Sequence, residues 1–111
     1  MNGLPNNTVV LERAPIESLD LRVAESAPPQ HFVDVTSGLP NGCAHFYGYE
    51  LTLAGSTITV IVWNTMPADI RAACTMQYEV TVHAIPLGAN LVPGRQYTLR
   101  INDKDTTFVA R

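Results

Sequence analysis

The sequence predicts an all-β protein, a sandwich of seven or eight short antiparallel strands, and three observations support this. Apolar residues recur at every second position along most of the chain, which is typical of strands with one buried face. Clusters of Gly, Pro, Asn and Ser interrupt these runs at short intervals, as they do in sandwiches and barrels. Helical spacing is nearly absent, and one window, residues 67–73, has the composition for a single helical turn. The fold class therefore follows from the alternation of apolar residues together with the spacing of the turn residues.

The expected strands follow the alternating runs in chain order. They cover residues 19–23, 32–36, 47–53, 58–63, 80–84, 97–101 and 108–110. Val33 and Val35 share one face of their strand. Ile58, Val60 and Val62 share one face of theirs, with Ile61 and Trp63 on the other, so residues 58–63 are expected to form a buried strand. Residues 102–105, with the sequence Asn-Asp-Lys-Asp, predict a hairpin turn between the last two strands.

Length and composition limit the classes of protein that are possible. The chain has 111 residues, of which 46% are hydrophobic and 15% charged, and we assign residues 1–111 to one globular domain rather than to a disordered chain. A net charge of -3 argues against a nucleic-acid partner, because such proteins normally present a basic face. No apolar run is long enough to predict a membrane-spanning helix.

The two cysteines, Cys43 and Cys74, are too far apart for a CxxC redox or zinc motif. They are either two buried reduced thiols or one disulfide. Lys104 is the single lysine, whereas Thr, Val, Asn and Pro are common, and this extracellular type of composition favours the disulfide. We therefore expect an extracellular, periplasmic or cell-surface location. The first residues lack the basic and apolar regions of a signal peptide, so the sequence would be the mature part of an exported protein.

The segment 91–101, Leu-Val-Pro-Gly-Arg-Gln-Tyr-Thr-Leu-Arg-Ile, resembles the L-x-P-G-x-x-Y pattern of fibronectin type III and related immunoglobulin-like modules. That resemblance implies an immunoglobulin-like antiparallel sandwich. It also implies that Tyr97 forms a tyrosine corner, in which the ring is buried and its hydroxyl forms a hydrogen bond with upstream backbone. The alternative is that Tyr97 is an ordinary aromatic residue of a strand.

A second resemblance concerns the order of three short segments. Gly42-Cys43-Ala44, Cys74-Thr75-Met76 and Pro86-Leu87-Gly88 are similar to segments of small exported bacterial domains of uncharacterised function. This resemblance implies no assigned chemistry.

Catalytic and metal-binding patterns are not recognisable in the sequence. Ser37 and Ser56 lack the G-x-S-x-G surroundings of a hydrolase nucleophile. The residues that could suit copper do not stand at a recognised ligand spacing: His31, His45, His83, Met66 and Met76. We therefore expect a protein that is not an enzyme and that uses no cofactor and no metal.

Surface recognition is then the leading hypothesis, because loops at the ends of sandwiches often carry function. If a disulfide draws two loops together, the expected protein-binding residues are Leu39, Pro40, Asn41, Met66, Pro67, Ile70 and Met76. Exposed Met and apolar side chains suit adaptable protein contacts. The alternative is that they simply cover the open ends of the core.

The sequence thus predicts a non-enzymatic exported or cell-surface domain that binds another protein or serves as a structural module. The second hypothesis is a protease inhibitor or protease-associated domain. Chagasin-like inhibitors use three loops at one end of a sandwich, but their Asn-Pro-Thr-Thr-Gly loop is absent from this sequence, so the resemblance is limited to architecture.

Overall fold

The computed structural model describes residues 8–69 and 71–111, and within these ranges the chain forms eight β-strands in two sheets. The strands are β1 (Val9–Arg13), β2 (Ile16–Ala24), β3 (Gln30–Leu39), β4 (His45–Ala54), β5 (Thr57–Pro67), β6 (Glu79–Gly88), β7 (Gln96–Ile101) and β8 (Lys104–Val109). The prediction of an all-β sandwich is confirmed. Nothing in the described ranges is helical, and no helix there could cross a membrane.

Strand β5 is the centre of the five-stranded sheet. One edge of β5 pairs with β4, and its other edge is shared by β1 along residues 63–67 and by β7 along residues 57–60. Strand β8 continues the sheet beyond β7. The β5–β7 pair is parallel, whereas the prediction made every pair antiparallel. The reason is that the chain crosses to the other sheet as β6 and then returns as β7, which runs in the same direction as β5.

The second sheet has three strands in the order β2-β3-β6, and its central strand supplies much of the core. Val33 and Val35 of β3 have no exposed surface, and Ile58, Val60 and Val62 of β5 are at most 1% exposed. Burial of these faces gives the main driving force for packing the two sheets together. In each strand the residues that share a face by alternation are buried together.

Strand β6 has the opposite orientation from the one that its apolar residues suggest. Val80 and Val82 are 54% and 65% exposed on the outer face. The inner face presents His83, which pairs with Val35, and Ile85, which pairs with Val33. The alternation of Val80, Val82 and Ala84 is therefore a wrong guide to the core, because β6 carries valines on one face and isoleucine and leucine on the other.

Strand β4 contributes less to the core than its alternation predicts. Tyr49 and Leu51 pair with the buried Val62 and Val60, so they lie on the core-facing side of the sheet. They are nevertheless 41% and 36% exposed. Strand β4 is an edge strand of the wider sheet, and the three-stranded sheet does not fully cover it.

The described residues of the window 67–73 include no helix. Strand β5 continues to Pro67, and the Ala72 N–H donates a hydrogen bond of 3.1 Å to the Asp69 carbonyl. Strand β1 has no counterpart among the predicted strands. Its five residues are all exposed, so it has no alternating pattern that sequence reasoning could detect.

Tyr97 anchors the entry to β7. Its side chain is 2% exposed, its ring stacks on Phe108 at 5.8 Å between centroids, and its hydroxyl accepts a hydrogen bond of 2.9 Å from the Val92 N–H. The tyrosine corner itself stays a prediction, with which this buried ring and its hydrogen bond to upstream backbone are compatible.

Asn102 fills the gap between β1 and β7 along the edge of β5. It begins the predicted turn after β7 with a φ of 53°. Its Oδ1 accepts a 2.9 Å hydrogen bond from the Val62 N–H, and its Nδ2 donates to the carbonyls of Ala14 and Val62 at 2.6 and 3.1 Å. The side-chain amide thus takes the place of a backbone peptide in the sheet.

Candidate functional site: a cleft beside the disulfide

Cys43 and Cys74 form a disulfide that joins two loops at one end of the sandwich. Cys43 lies between β3 and β4, and Cys74 lies in the segment between β5 and β6. Their Cα atoms are 5.4 Å apart, a usual separation for a disulfide. The bridge therefore closes the open end of the β4–β5 hairpin and holds the two loops side by side.

The first loop is held by a compact turn around Asn41. The Asn41 Oδ1 accepts a 2.9 Å hydrogen bond from the Cys43 N–H, and the Asn41 carbonyl accepts one of 3.2 Å from the Ala44 N–H. The Gly42 N–H donates to the Thr75 carbonyl across the two loops at 3.0 Å. A Cβ atom at Gly42 would overlap the Thr75 side chain, so the loops can approach this closely because residue 42 is glycine.

The second loop is held at its start by Asp69. The Asp69 carboxylate accepts a 2.9 Å hydrogen bond from the Arg71 N–H and forms an exposed ion pair of 3.3 Å with the Arg71 guanidinium. The Ala68 N–H donates to the Thr8 carbonyl at 3.0 Å, which connects this loop to the beginning of β1. Three chain segments therefore meet at this end of the molecule.

These segments enclose an open cleft of about 420 Å³ next to the disulfide. Methionine, proline and alanine side chains form most of its apolar surface, and two carboxylates add negative charge. The lining residues are Glu12, Asn41, Met66, Pro67, Asp69, Ala72, Cys74 and Met76. Met76 is 91% exposed, so its flexible thioether lies free at the border of the cleft.

The structure brings together four of the seven residues that the sequence singled out for protein binding: Asn41, Met66, Pro67 and Met76. Leu39 ends β3, where it is half-buried and pairs with Glu79, and Pro40 is exposed beside it. Neither lines the cleft. Ile70 lies outside the described residues. A role in protein binding stays a prediction for all seven.

Sequence reasoning missed Glu12 as a lining residue and did not single out Asp69 or Ala72. Glu12 belongs to β1 and pairs with Asn64 of β5, a pairing that the chain order does not reveal. Asp69 and Ala72 lie in the connection of residues 64–76, which was expected to carry the binding residues. The disulfide was the one available clue, since it predicts that residues near 41 and near 74 are neighbours.

The three histidines lie in different surroundings. His31 is buried and its Nε2 accepts a 3.2 Å hydrogen bond from the Arg111 N–H, whereas His45 is exposed. His83 stacks on Phe46 with 3.6 Å between ring centroids, and burial lowers its pKa below the ordinary value. Across residues 8–69 and 71–111, no three His, Cys, Asp or Glu side chains are grouped closely enough to share a metal ion.

A second cavity, of about 280 Å³, lies beside Asn102 and is lined by Arg13, Ala14, Pro15, Asn102 and Asp103. The Asn102 amide already uses its oxygen and its nitrogen in the hydrogen bonds of the sheet. This cavity therefore offers a ligand few polar groups that are not already bonded, and the cleft beside the disulfide is the better candidate.

Fold and cleft together define a small β-sandwich protein with two loops joined by a disulfide. The chain belongs to the ORF11 beta-sandwich domain family, whose model matches residues 33–110. It is similar to the uncharacterized 10.2 kDa protein in the HgiCIIM 5' region of Herpetosiphon aurantiacus, with 35% identity over 88 residues that cover 79% of this chain and 90% of the relative. The uncharacterized 10.2 kDa proteins in the HgiBIM and HgiEIM 5' regions of the same organism are each 35% identical over 78 residues, covering 70% of this chain and 92% of the relative. No solved structure matches the chain.

Proposed function

We propose that this β-sandwich is a non-enzymatic domain that binds another protein through the cleft beside the disulfide, and that it acts outside the reducing cytosol. The observation that carries the proposal is the convergence of Asn41, Met66, Pro67 and Met76 on one cleft whose wall includes Cys74. Methionine side chains adapt their shape to a partner. The disulfide and the hydrogen bonds between the loops reduce the entropy that the cleft loses when it binds.

The charges of the cleft indicate which partner segment it would accept. Glu12 places a carboxylate beside the apolar lining, whereas the Asp69 carboxylate is already paired with Arg71, and the chain carries a net charge of -3. A segment with an apolar side chain next to a lysine or arginine complements this surface, because the cation meets Glu12 at the border and the apolar group meets Met66 and Met76.

The location outside the cytosol is supported by the disulfide, because such bridges persist in oxidising compartments and are rare in reducing ones. The mass of the protein isolated from its native host after thiol alkylation under denaturing conditions tests this point. Cys43 and Cys74 that resist alkylation in that material support export, and full alkylation of both contradicts it.

The binding role is tested with one cleft variant and one matched control. Met76→Asp changes a side chain that is 91% exposed, and Val109→Asp changes one that is 60% exposed on β8, away from the cleft. Immobilised wild-type protein and Val109→Asp should retain the same partner from an extract of the native host's cell envelope, and Met76→Asp should not. The retained partner is then purified and titrated calorimetrically. A partner that binds all three equally, or the absence of any partner, overturns the proposal.

The protease-inhibitor hypothesis makes a different demand on the same loops. An inhibitor must project its loops into the cleft of an enzyme, whereas the two joined loops here border a concavity of their own. The concave shape supports capture of a partner side chain better than insertion into an active site. Titration against panels of cysteine and serine proteases separates the two functions, since inhibition that Met76→Asp abolishes would favour the inhibitor.

A further inference from the structure

Beyond the bulge at residues 46–48, strand β4 is a sheet edge with few of the features that usually prevent edge-to-edge pairing. Within the described ranges, β4 pairs along one side with β5 and has no partner on the other. Its ten residues, His45–Ala54, include no Lys, Arg or Pro, which are the residues that natural edge strands use for protection. Its one acid, Glu50, accepts a 2.9 Å hydrogen bond from the Trp63 indole. The strand is therefore open to a further strand.

The same strand exposes an apolar row on the core-facing side of the sheet. Tyr49, Leu51 and Leu53 pair with Val62, Val60 and Ile58, which are buried, yet the three are 41%, 36% and 52% exposed. A bulge at residues 46–48 interrupts the register before this row, so the regular part of the edge begins at Tyr49. A strand added here would continue the core instead of covering an outer polar face.

We propose that this edge pairs with β4 of a second copy, antiparallel and about a two-fold axis at Leu51. An axis at that residue places Leu51 opposite Leu51 and Tyr49 opposite Leu53, and it joins apolar side chains from both copies on one face. On the other face it places Glu50 opposite Thr52. An axis at Glu50 would instead bring two carboxylates together, so charge disfavours that register, whereas the axis at Leu51 aligns the three apolar residues of both copies.

The area of the edge predicts a weak, reversible dimer. Tyr47 and Tyr49 are 62% and 41% exposed, which corresponds to roughly 200 Å² of accessible surface between them. With Leu51 and Leu53 added, the strand remains below the approximately 800 Å² per partner of a standard interface. Dimerisation should therefore require high protein concentration. The proposal is independent of the function proposed for the cleft, which lies at the end of the sandwich beside the disulfide.

Cysteine cross-linking tests the register directly. Residues opposite each other in an antiparallel pair have Cα atoms about 4.5–5.5 Å apart, which a disulfide can bridge. Leu51→Cys should therefore form a covalent dimer under mild oxidation, seen on non-reducing gels and reversed by thiol. Leu53→Cys is the matched control, because two such residues would be about 14 Å apart in this register. Equal cross-linking of both variants, or of neither, overturns the two-fold axis at Leu51.

Analytical ultracentrifugation tests the association without an added cysteine. The wild-type mass should rise from 12.1 kDa towards twice that value between micromolar and millimolar concentration. Leu51→Lys should remain monomeric, and Thr107→Lys on the exposed part of β8 should behave as the wild type. Circular dichroism verifies that both variants are folded. A wild-type protein that stays monomeric throughout, or a dimer that Thr107→Lys abolishes, overturns the proposal.

Discussion

Asn102 should be among the most sensitive polar residues in the protein, because its side chain replaces backbone in the sheet. The amide makes three hydrogen bonds that join β5 to the residue after β1, and its backbone has a φ of 53°. Asparagine tolerates that left-handed conformation better than alanine does. Substitution therefore affects the side-chain bonds and the backbone separately, and three variants can distinguish the two contributions.

The expected losses follow from these contacts. Asn102→Gly removes three hydrogen bonds worth about 1 kcal/mol each in net stability, so it should cost about 3 kcal/mol. Asn102→Ala loses the same bonds and adds about 1 kcal/mol for the left-handed conformation, so it should cost about 4 kcal/mol. Asn102→Asp keeps the acceptor for the Val62 N–H but places a carboxylate against the Ala14 and Val62 carbonyls, so it should cost at least about 2 kcal/mol.

Urea unfolding followed by the fluorescence of Trp63, the single tryptophan, measures these free energies. Asp103→Ala in the same turn is the control, because Asp103 is exposed and should cost little. Two results would refute the reasoning: a loss below about 1 kcal/mol for Asn102→Ala, or an Asn102→Asp variant as stable as the wild type.

Three further outcomes follow from other contacts. The double variant Cys43→Ala, Cys74→Ala opens a loop of sequence separation 31 and should lower the free energy of unfolding by about 3.7 kcal/mol. Chemical reduction of the wild type should give the same loss. A loss under about 1 kcal/mol would contradict the loop-entropy reasoning. Burial lowers the pKa of His83 from its ordinary 6.5, so the folded state binds fewer protons than the unfolded state. Stability should therefore fall as pH decreases through the window just below 6.5. His83→Gln should flatten that part of the stability profile measured by urea unfolding, and an unchanged slope would show that His83 is not its cause. Gly38→Ala places a Cβ where the Tyr78 hydroxyl lies and should lower the free energy of unfolding by about 1–3 kcal/mol. In a Tyr78→Ala background this loss should shrink. A double-mutant cycle measured by thermal unfolding that shows no coupling would rule out this clash.

The sequence predicted the parts of the fold that depend on local alternation and turn chemistry. The alternation of Val33 and Val35 matches the buried face of β3, and that of Ile58, Val60 and Val62 matches the buried face of β5. In β5 the opposite face also carries apolar residues, Ile61 and Trp63, so the alternation alone did not decide its core face. The turn at Asn102 was likewise expected. Its side-chain role was not, because the bonds of Asn102 reach residues 40 and 88 positions away in the sequence.

The errors occur where tertiary packing decides which face is buried. Val82 looks like a core residue in isolation, but the pairing of β6 with β3 places His83 inside and Val82 outside. A histidine on an inner face is acceptable here because it stacks on Phe46, and its Nε2 shares a 2.9 Å hydrogen bond with the Thr81 hydroxyl. No local pattern shows such a compensation.

The candidate site could be predicted from the sequence only in part, because most of its contacts are long-range. The disulfide predicted that the loops near residues 41 and 74 lie side by side, and Asn41 and Met76 both line the cleft. The position of Glu12 needed the pairing of β1 with β5, which neither composition nor spacing indicates. Binding through this cleft remains a prediction.

The way β5 divides one edge between two strands has a consequence for the kinetics of folding. The β4–β5 hairpin joins neighbouring segments, whereas Val9 must find Pro67 and Ile101 must find Val60. Pairings over such separations require loop closure before they gain stability, and they slow folding to about the millisecond-to-second range. We expect the hairpin to form early and β1 and β7 to dock late, so substitutions within the hairpin should change the folding rate and those in β1 mainly the unfolding rate.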